Sequence, residues 1–245
     1  MATKPDLISL QGEVFLAKLT NGVAGPYYSV GNTPKLELKI SSTSKDHYES
    51  KTGKRSKDAT LYTQTGVSID GTLEEVTKEN LARVMSGLVI DVASQTITDV
   101  SLGTVTTSGM INLGYRNITS ATFKAGGTAM DPSKYTLDKT FGTVNFNEAI
   151  SGEVTWSGVT GAVVRTTMAN NIGEEYALMV KEVDTYGGDK IFVELWRVLF
   201  SPETTLALIN EDFGSFDVTG EALADLSKAN DAELSIFGHV ERFTV

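Results

Sequence analysis

The chain is 245 residues long, carries a net charge of −10 at neutral pH and contains no cysteine. The missing thiols exclude disulfides and thiolate-bound metal. The acidic balance disfavours wrapping of DNA, which needs Lys and Arg to displace counterions, but not passage of DNA along an acidic wall. Gly is abundant at 23 and Pro scarce at 5, with Thr, Val and Ser throughout, a composition suited to many strands joined by tight turns. This length fits one large all-β domain or a domain holding a smaller insert. Met1 to Phe15 has no apolar run of signal-peptide length. No segment approaches the ~18 consecutive apolar residues of a membrane helix, so first folding in the cytoplasm is expected. The charge is uneven: residues 1–100 sum to −1, residues 101–161 to zero and residues 162–245 to −9.

In chain order, the first predicted strand is Gly12 to Leu19, ended by Gly22 and Gly25-Pro26. Lys35 to Ile40 alternates polar and apolar, predicting one buried face, and Thr60 to Ile69 reads as its partner. Between them, Ser41 to Ala59 offers a core almost nothing and predicts a long charged loop of net +2. Thr72-Leu73-Glu74-Glu75 has the spacing of a capping box, followed by Thr77, Leu81, Val84 and Leu88 at helical intervals, with Gly87 near the end. The expectation is one helix packed on a sheet.

Residues 101–161 predict a small inserted β subdomain, with strands at Ala121 to Lys124, Tyr135 to Leu137, Thr143 to Phe146 and Glu153 to Trp156. Residues 1–100 and 162–245 then form one discontinuous domain. Glu175 to Val183 and Lys190 to Leu199 predict a hairpin around Tyr186-Gly187-Gly188-Asp189. Phe213 to Thr219 and Glu233 to Thr244 close the sequence as strands, with short helical turns expected at Ser201 to Ile209 and Glu221 to Lys228.

Chemistry is sparse. The two histidines, His47 and His239, fall in the charged loop and in the last strand, and no G-x-S-x-G elbow accompanies them. Gly53-Lys54-Arg55-Ser56 lacks the earlier glycine of a phosphate loop, Tyr48 standing there. The close acid pairs are Glu174-Glu175, Glu211-Asp212 and Asp184 with Asp189. Neighbouring acids on a strand point to opposite faces, unlike the facing carboxylates of a glycosidase. Trp156, Trp196, Tyr62 and Tyr176 are the residues available for a carbohydrate-stacking platform. Trp196 is placed on one face with Phe192, Glu194 and Val198. No catalytic, cofactor or metal residue is assigned.

The order of elements, namely a first strand, a strand–charged loop–strand unit, a lone helix, a β insert and strong C-terminal strands, resembles the tail-tube (major tail) proteins of long-tailed bacteriophages. The segments that carry the resemblance are Gly71 to Val76 through Glu79-Asn80-Leu81, Asn210 to Phe213, Thr219 to Leu223, Tyr135 to Asp138 and Gly142 to Phe146. The resemblance implies an all-β fold of two packed antiparallel sheets with one flanking helix, a tail-tube-like sandwich or barrel. It implies hexameric rings stacked into a tube for DNA ejection, in a virion assembled in the host cytoplasm. The partners it implies are further copies, tape-measure, terminator and baseplate proteins, and DNA in transit, with no cofactor and no membrane. The expected stacking loop holds Lys45, His47, Glu49, Lys51, Lys54, Arg55 and Lys57, facing acids such as Glu211, Asp212, Asp217 and Glu221 of the next ring. The insert is expected on the outside of the tube. A carbohydrate-binding or adhesin-like β-sandwich, a glycosidase and a virion decoration protein remain alternatives at this point.

Overall fold

The computed structural model describes residues 7–105, 109–202, 205–211, 213–229, 231 and 233–244. These form two compact units, residues 89–165 and the remainder of the chain on either side. The architecture is all-β with one α-helix.

The first unit starts with β1 (Leu10–Thr20), onto which the short β2 (Val23–Ala24) and β3 (Tyr28–Ser29) fold back. Next come β4 (Lys35–Tyr48) and β5 (Lys57–Leu73), paired antiparallel from Lys35 opposite Thr72 to Tyr48 opposite Lys57. This corrects the expected long loop. Most of Ser41 to Ala59 is strand, and only the turn 49–56 lies outside the ladder. Over residues 41–48 and 57–65 the two strands are rich in Ser and Thr, which sit readily in a pleat, but both faces meet water there, so no apolar alternation marks them.

The helix α1 (Lys78–Val84) begins later than expected, with Thr77 as its cap accepting from the Asn80 amide at 3.1 Å. Thr72 and Leu73 belong to β5, so the box at Thr72 to Glu75 does not form. Strand pairing wins there: Thr72 lies opposite Asp217 and donates its hydroxyl to that carboxylate at 2.9 Å. Glu75 instead accepts from the Asn32 amide at 3.0 Å. Its carboxylate crowds Gly31 (φ 81°), where a Cβ would meet it at 2.2 Å, so that turn requires glycine.

The second unit holds β6 (Val89–Val92), β7 (Thr96–Thr104), β8 (Ile111–Asn112), β9 (Ile118–Ala125), β10 (Thr128–Ala129), β11 (Tyr135–Asp138), β12 (Thr143–Phe146), β13 (Glu153–Thr160) and β14 (Val163–Thr166). One sheet runs β10-β9-β13-β7, a second β11-β12-β8, and β14 pairs with β6. Residues of both larger sheets share one core, centred on Phe123, Val144, Val154 and Trp156, which makes this unit a small sandwich. It extends beyond the expected 101–161 because β7 starts at Thr96 to pair with β13, and β6 with β14 closes the neck.

The chain then returns to the first unit as β15 (Glu175–Asp184), β16 (Lys190–Phe200), β17 (Phe216–Ala222) and β18 (Gly238–Phe243). The sheet order is β2-β1-β15-β16-β17-β5-β4, and it forks at β16. Lys190 to Leu195 pair with β18, whereas Val198 to Phe200 pair with β17. A bulge places Trp196 and Arg197 opposite Ala177 alone and reverses the side-chain alternation. Val198 therefore joins Ile191, Val193 and Leu195 in the core rather than sharing a face with Trp196. Both limbs of the fork contribute to one core, Leu178 and Val193 from one side and Ile69, Phe216 and Val218 from the other, with Val84 of α1. That is the packing of a β-sandwich. The expected turn at Glu221 to Lys228 shrinks to a single 3₁₀ turn at Leu226–Lys228, since Glu221 and Ala222 end β17. The described residues of Ser201 to Ile209 carry no helix.

Because the second unit owns its core and closes on the β6–β14 pair, a chain of residues 89–165 alone is expected to fold cooperatively. Trp156→Ala, which empties a fully buried site, should cost about 3–5 kcal/mol and unfold it. Thermal unfolding of the excised unit by circular dichroism checks both outcomes.

Candidate functional site

Beyond Ile40 and Val67, β4 and β5 leave the core and continue as a two-stranded ribbon exposed on both faces. β5 is paired to β17 only from Val67 to Leu73, and β4 is the terminal strand of the sheet order. A long row of backbone donors and acceptors along β4 thus meets solvent in a single copy.

The expected stacking residues all lie on this ribbon, and they divide into two groups. On the stem, Lys57 pairs with Asp46 at 2.7 Å and His47 Nδ1 lies 2.5 Å from Asp58. The Lys57 ammonium, with the Thr60 hydroxyl, holds the Asp46 carboxyl below its ordinary range. Glu49 caps the turn, accepting from the amides of Lys51 (2.7 Å) and Thr52 (2.9 Å) and from the Thr52 hydroxyl. Those bonds, the Thr52 hydroxyl first, also lower its pKa. By contrast Lys45, Lys51, Lys54 and Arg55 make no ion pair among the described residues. Gly53 (φ 73°) and Arg55 (φ 50°) take the left-handed conformation that bends the chain back. The turn therefore presents cations that no acid answers among the described residues.

An apolar feature went unseen in the sequence. Leu36, Leu38 and Ile40 do alternate, but only Leu36 is half-buried, while Ile40 is 81% exposed. Residues directly opposite share a face, so Leu38 and Ile40 lie on the core side with Ile69 and Val67. Ser44 opposite Tyr62 continues that face and places exposed Tyr62 on it. The core side of the sheet runs out along the ribbon with no cover. Only a pairing register, absent from a single strand's pattern, reveals this stripe.

The expected acids are dispersed. Asp217 and Glu221 sit on the outer face of β17, alternating with buried Val218, Gly220 and Ala222. A shallow groove on that face brings Glu221 together with Glu37, Lys39 and Asp70. Glu211 lies instead in the β16–β17 connection, close in sequence to exposed Leu208 and Ile209, and Asp212 falls outside the described residues.

The other acid pairs act as clamps. Glu175 holds Arg197 through two bonds of 2.8 Å, and Arg197 also donates to the Ala224 carbonyl. Glu174 pairs with Lys18; burial works to raise its pKa, but bonds from Lys18, Tyr176 and Asn171 more than offset this. Asp184 is buried and anchors β1, accepting from the Ser9 amide at 3.0 Å and from Tyr186. Asp189 anchors β18 through Arg242 at 2.6 Å and Thr244 at 2.8 Å.

The stacking platform is not assembled. Trp156 and Tyr176 are buried in different cores, Tyr62 is on the ribbon, and Trp196 packs against His239 at 5.2 Å with Lys228 over its ring. His239 is also close to Glu241, at 3.3 Å. Among the described residues, no three His, Asp or Glu side chains are grouped to hold a metal ion, and no helix is long and apolar enough to cross a membrane.

One family, "Protein of unknown function UCP028589", matches residues 7–241, a span that takes in residues of both units. The chain belongs to it. No curated protein matches the chain. The family's extent thus takes in ribbon, fork and inserted unit together.

The backbone amide of Ser9 is the main cause of Asp184's lowered pKa. The stabilisation from this carboxylate is present above the unfolded-state pKa of about 3.9 and is lost as pH falls through the depressed folded value. Asp184→Ala should release the start of β1 at neutral pH, whereas the unaltered protein should release it only in stronger acid than an ordinary Asp requires. Hydrogen exchange at the Ser9 and Tyr186 amides measures this.

Proposed function

We propose that this chain is a structural subunit that assembles with copies of itself into stacked rings, forming the tail tube of a long-tailed bacteriophage. The observation that carries the reading is the ribbon: an open sheet edge continuing into a projecting hairpin whose turn cations make no ion pair among the described residues. An exposed edge of this length invites strand pairing by another chain, and a closed ring leaves no edge unpaired. Head-to-tail contacts close into rings or extend as filaments, and a tube combines the two.

Charge supports the same reading. The net −10 and the outer-face acids Asp217 and Glu221 favour a surface along which duplex DNA slides without adhering. The clamping of Glu174, Glu175, Asp184 and Asp189 by cations and amides supports an architectural role for these acids. The partners that follow are further copies, the proteins that cap and measure a tail, and DNA in passage.

Negative-stain microscopy of the purified protein at high concentration should show stacked rings with a central hole. Monodisperse single copies at every concentration would overturn the reading. Reversing Lys51, Lys54 and Arg55 together to Glu should abolish stacking while leaving the circular dichroism spectrum and melting temperature unchanged, since none of the three makes an ion pair among the described residues. Tubes of normal length from that variant would remove the turn from the contact.

A further inference from the structure

Lys18, Asn171 and Glu174 line one open cleft of about 550 Å³ in the first unit. Register brings two of them there. Lys18 lies opposite Tyr176 across the β1–β15 pair, and Glu174 precedes Tyr176 by two residues, the spacing that shares a face. Asn171 is fixed by its backbone amide, which donates to the Ser86 carbonyl at 2.8 Å. Gly173 (φ 90°) then turns the chain, and the Asn171 side chain meets Glu174.

Glu174 is thereby the meeting point of three side chains. The Lys18 ammonium pairs with Oε1, the Tyr176 hydroxyl donates to Oε2, and the Asn171 carboxamide bonds to the same carboxylate. An ion pair at a surface adds little stability and has no need of a carboxamide. At two other lysine pairs the carboxylate's further partner is a hydroxyl, Thr60 at Asp46 and Ser157 at Asp99. A primary amine and a carboxamide held on one carboxylate are the reactants and the proton carrier of an acyl transfer. The Glu174 side chain is only 16% exposed, and burial works against its charge while the three bonds offset that cost. Lys18, at 58%, borders open solvent, so a small leaving group has a way out.

We propose that Lys18 Nζ and Asn171 Cγ join in an intramolecular amide bond, with Glu174 carrying the proton and ammonia leaving. The Lys18 ammonium first gives a proton to Glu174. The free amine attacks Asn171 Cγ and forms the new C–N bond. Glu174 then protonates Nδ2 and takes a proton from the attacking nitrogen, and the Cγ–Nδ2 bond breaks. The departing ammonia accepts the remaining proton from Glu174. Lysine ammonium and carboxamide thus become an amide and an ammonium ion, and nothing is oxidised or reduced. In a chain without cysteine the bond takes the place of a disulfide, tying β1 to the segment that enters β15 and restricting the unfolded chain. It forms within one copy, whatever that copy assembles into.

Intact-mass spectrometry of the purified full chain tests the bond. The expected mass lies below that of the sequence by one ammonia, and proteolysis should release a branched peptide joining Lys18 to Asn171. Lys18→Arg keeps a cation beside Glu174 but offers no amine to acylate, and Asn171→Ala removes the acyl carbon. Each variant should show the full mass of its own sequence. Glu174→Gln should slow linkage by about a hundredfold, the scale of a lost proton carrier. The full sequence mass in the unaltered chain overturns the bond. So does an ammonia loss that persists in Lys18→Arg, which would trace to ring closure at Asn21-Gly22. Linkage undiminished in Glu174→Gln overturns the role given to the carboxylate.

Discussion

The first unit depends on the backbone of β16. One edge of this strand is committed to β15 along nearly its whole length, while the other is divided between β18 and β17. Each partner satisfies donors and acceptors that would be costly to bury unpaired. The division obliges the sheet to split into two limbs, and the bulge at Trp196-Arg197 supplies the change of direction. Without it, Val198 would face away from the core and β17 would present its apolar row to water. The β5 strand follows β17, and the ribbon follows β5. The position of the exposed hairpin is thus set several strands away, by where β16 changes partner.

Legibility of this structure in the sequence followed burial. Strands with one wet and one buried face, such as β1, β15 and the first half of β16, announced themselves by alternation. The core strands of the second unit, β9, β12 and β13, overlap strands expected within the charge-balanced insert of residues 101–161. The ribbon did not announce itself, because alternation reports a buried face and Ser41 to Tyr48 has none; its charge was read correctly and its conformation was not. The helix shows the opposite failure. Thr72 and Glu75 have the spacing of a cap, yet pairing of Thr72 with Asp217, far along the chain, outweighs that local preference. The bulge in β16 is equally nonlocal, since it exists only relative to Ala177. The residues expected to stack were identifiable as charges, but which of them are already paired depends on the register of β4 against β5.

Electrostatics in the first unit are arranged in two styles. Acids near the ends of the central strands, Asp184 and Asp189, receive amides, hydroxyls and Arg242 and fix the outer strands in place. On the ribbon turn, Lys51, Lys54 and Arg55 are left without such partners among the described residues. Surface ion pairs add little stability, so leaving these out costs the single copy almost nothing. It does keep long-range attraction available for whatever approaches.

The β6–β14 pairing at the neck of the second unit has a consequence for how this chain tolerates change. The chain leaves the first unit after Leu88 and returns at Thr166 through adjacent strands. Loop-closure entropy rises only slowly with length, so the parent scaffold scarcely registers how much polypeptide lies beyond that doorway. The neck is therefore a natural splice point, where a foreign domain with neighbouring termini can be grafted as cargo without rewriting the forked sheet.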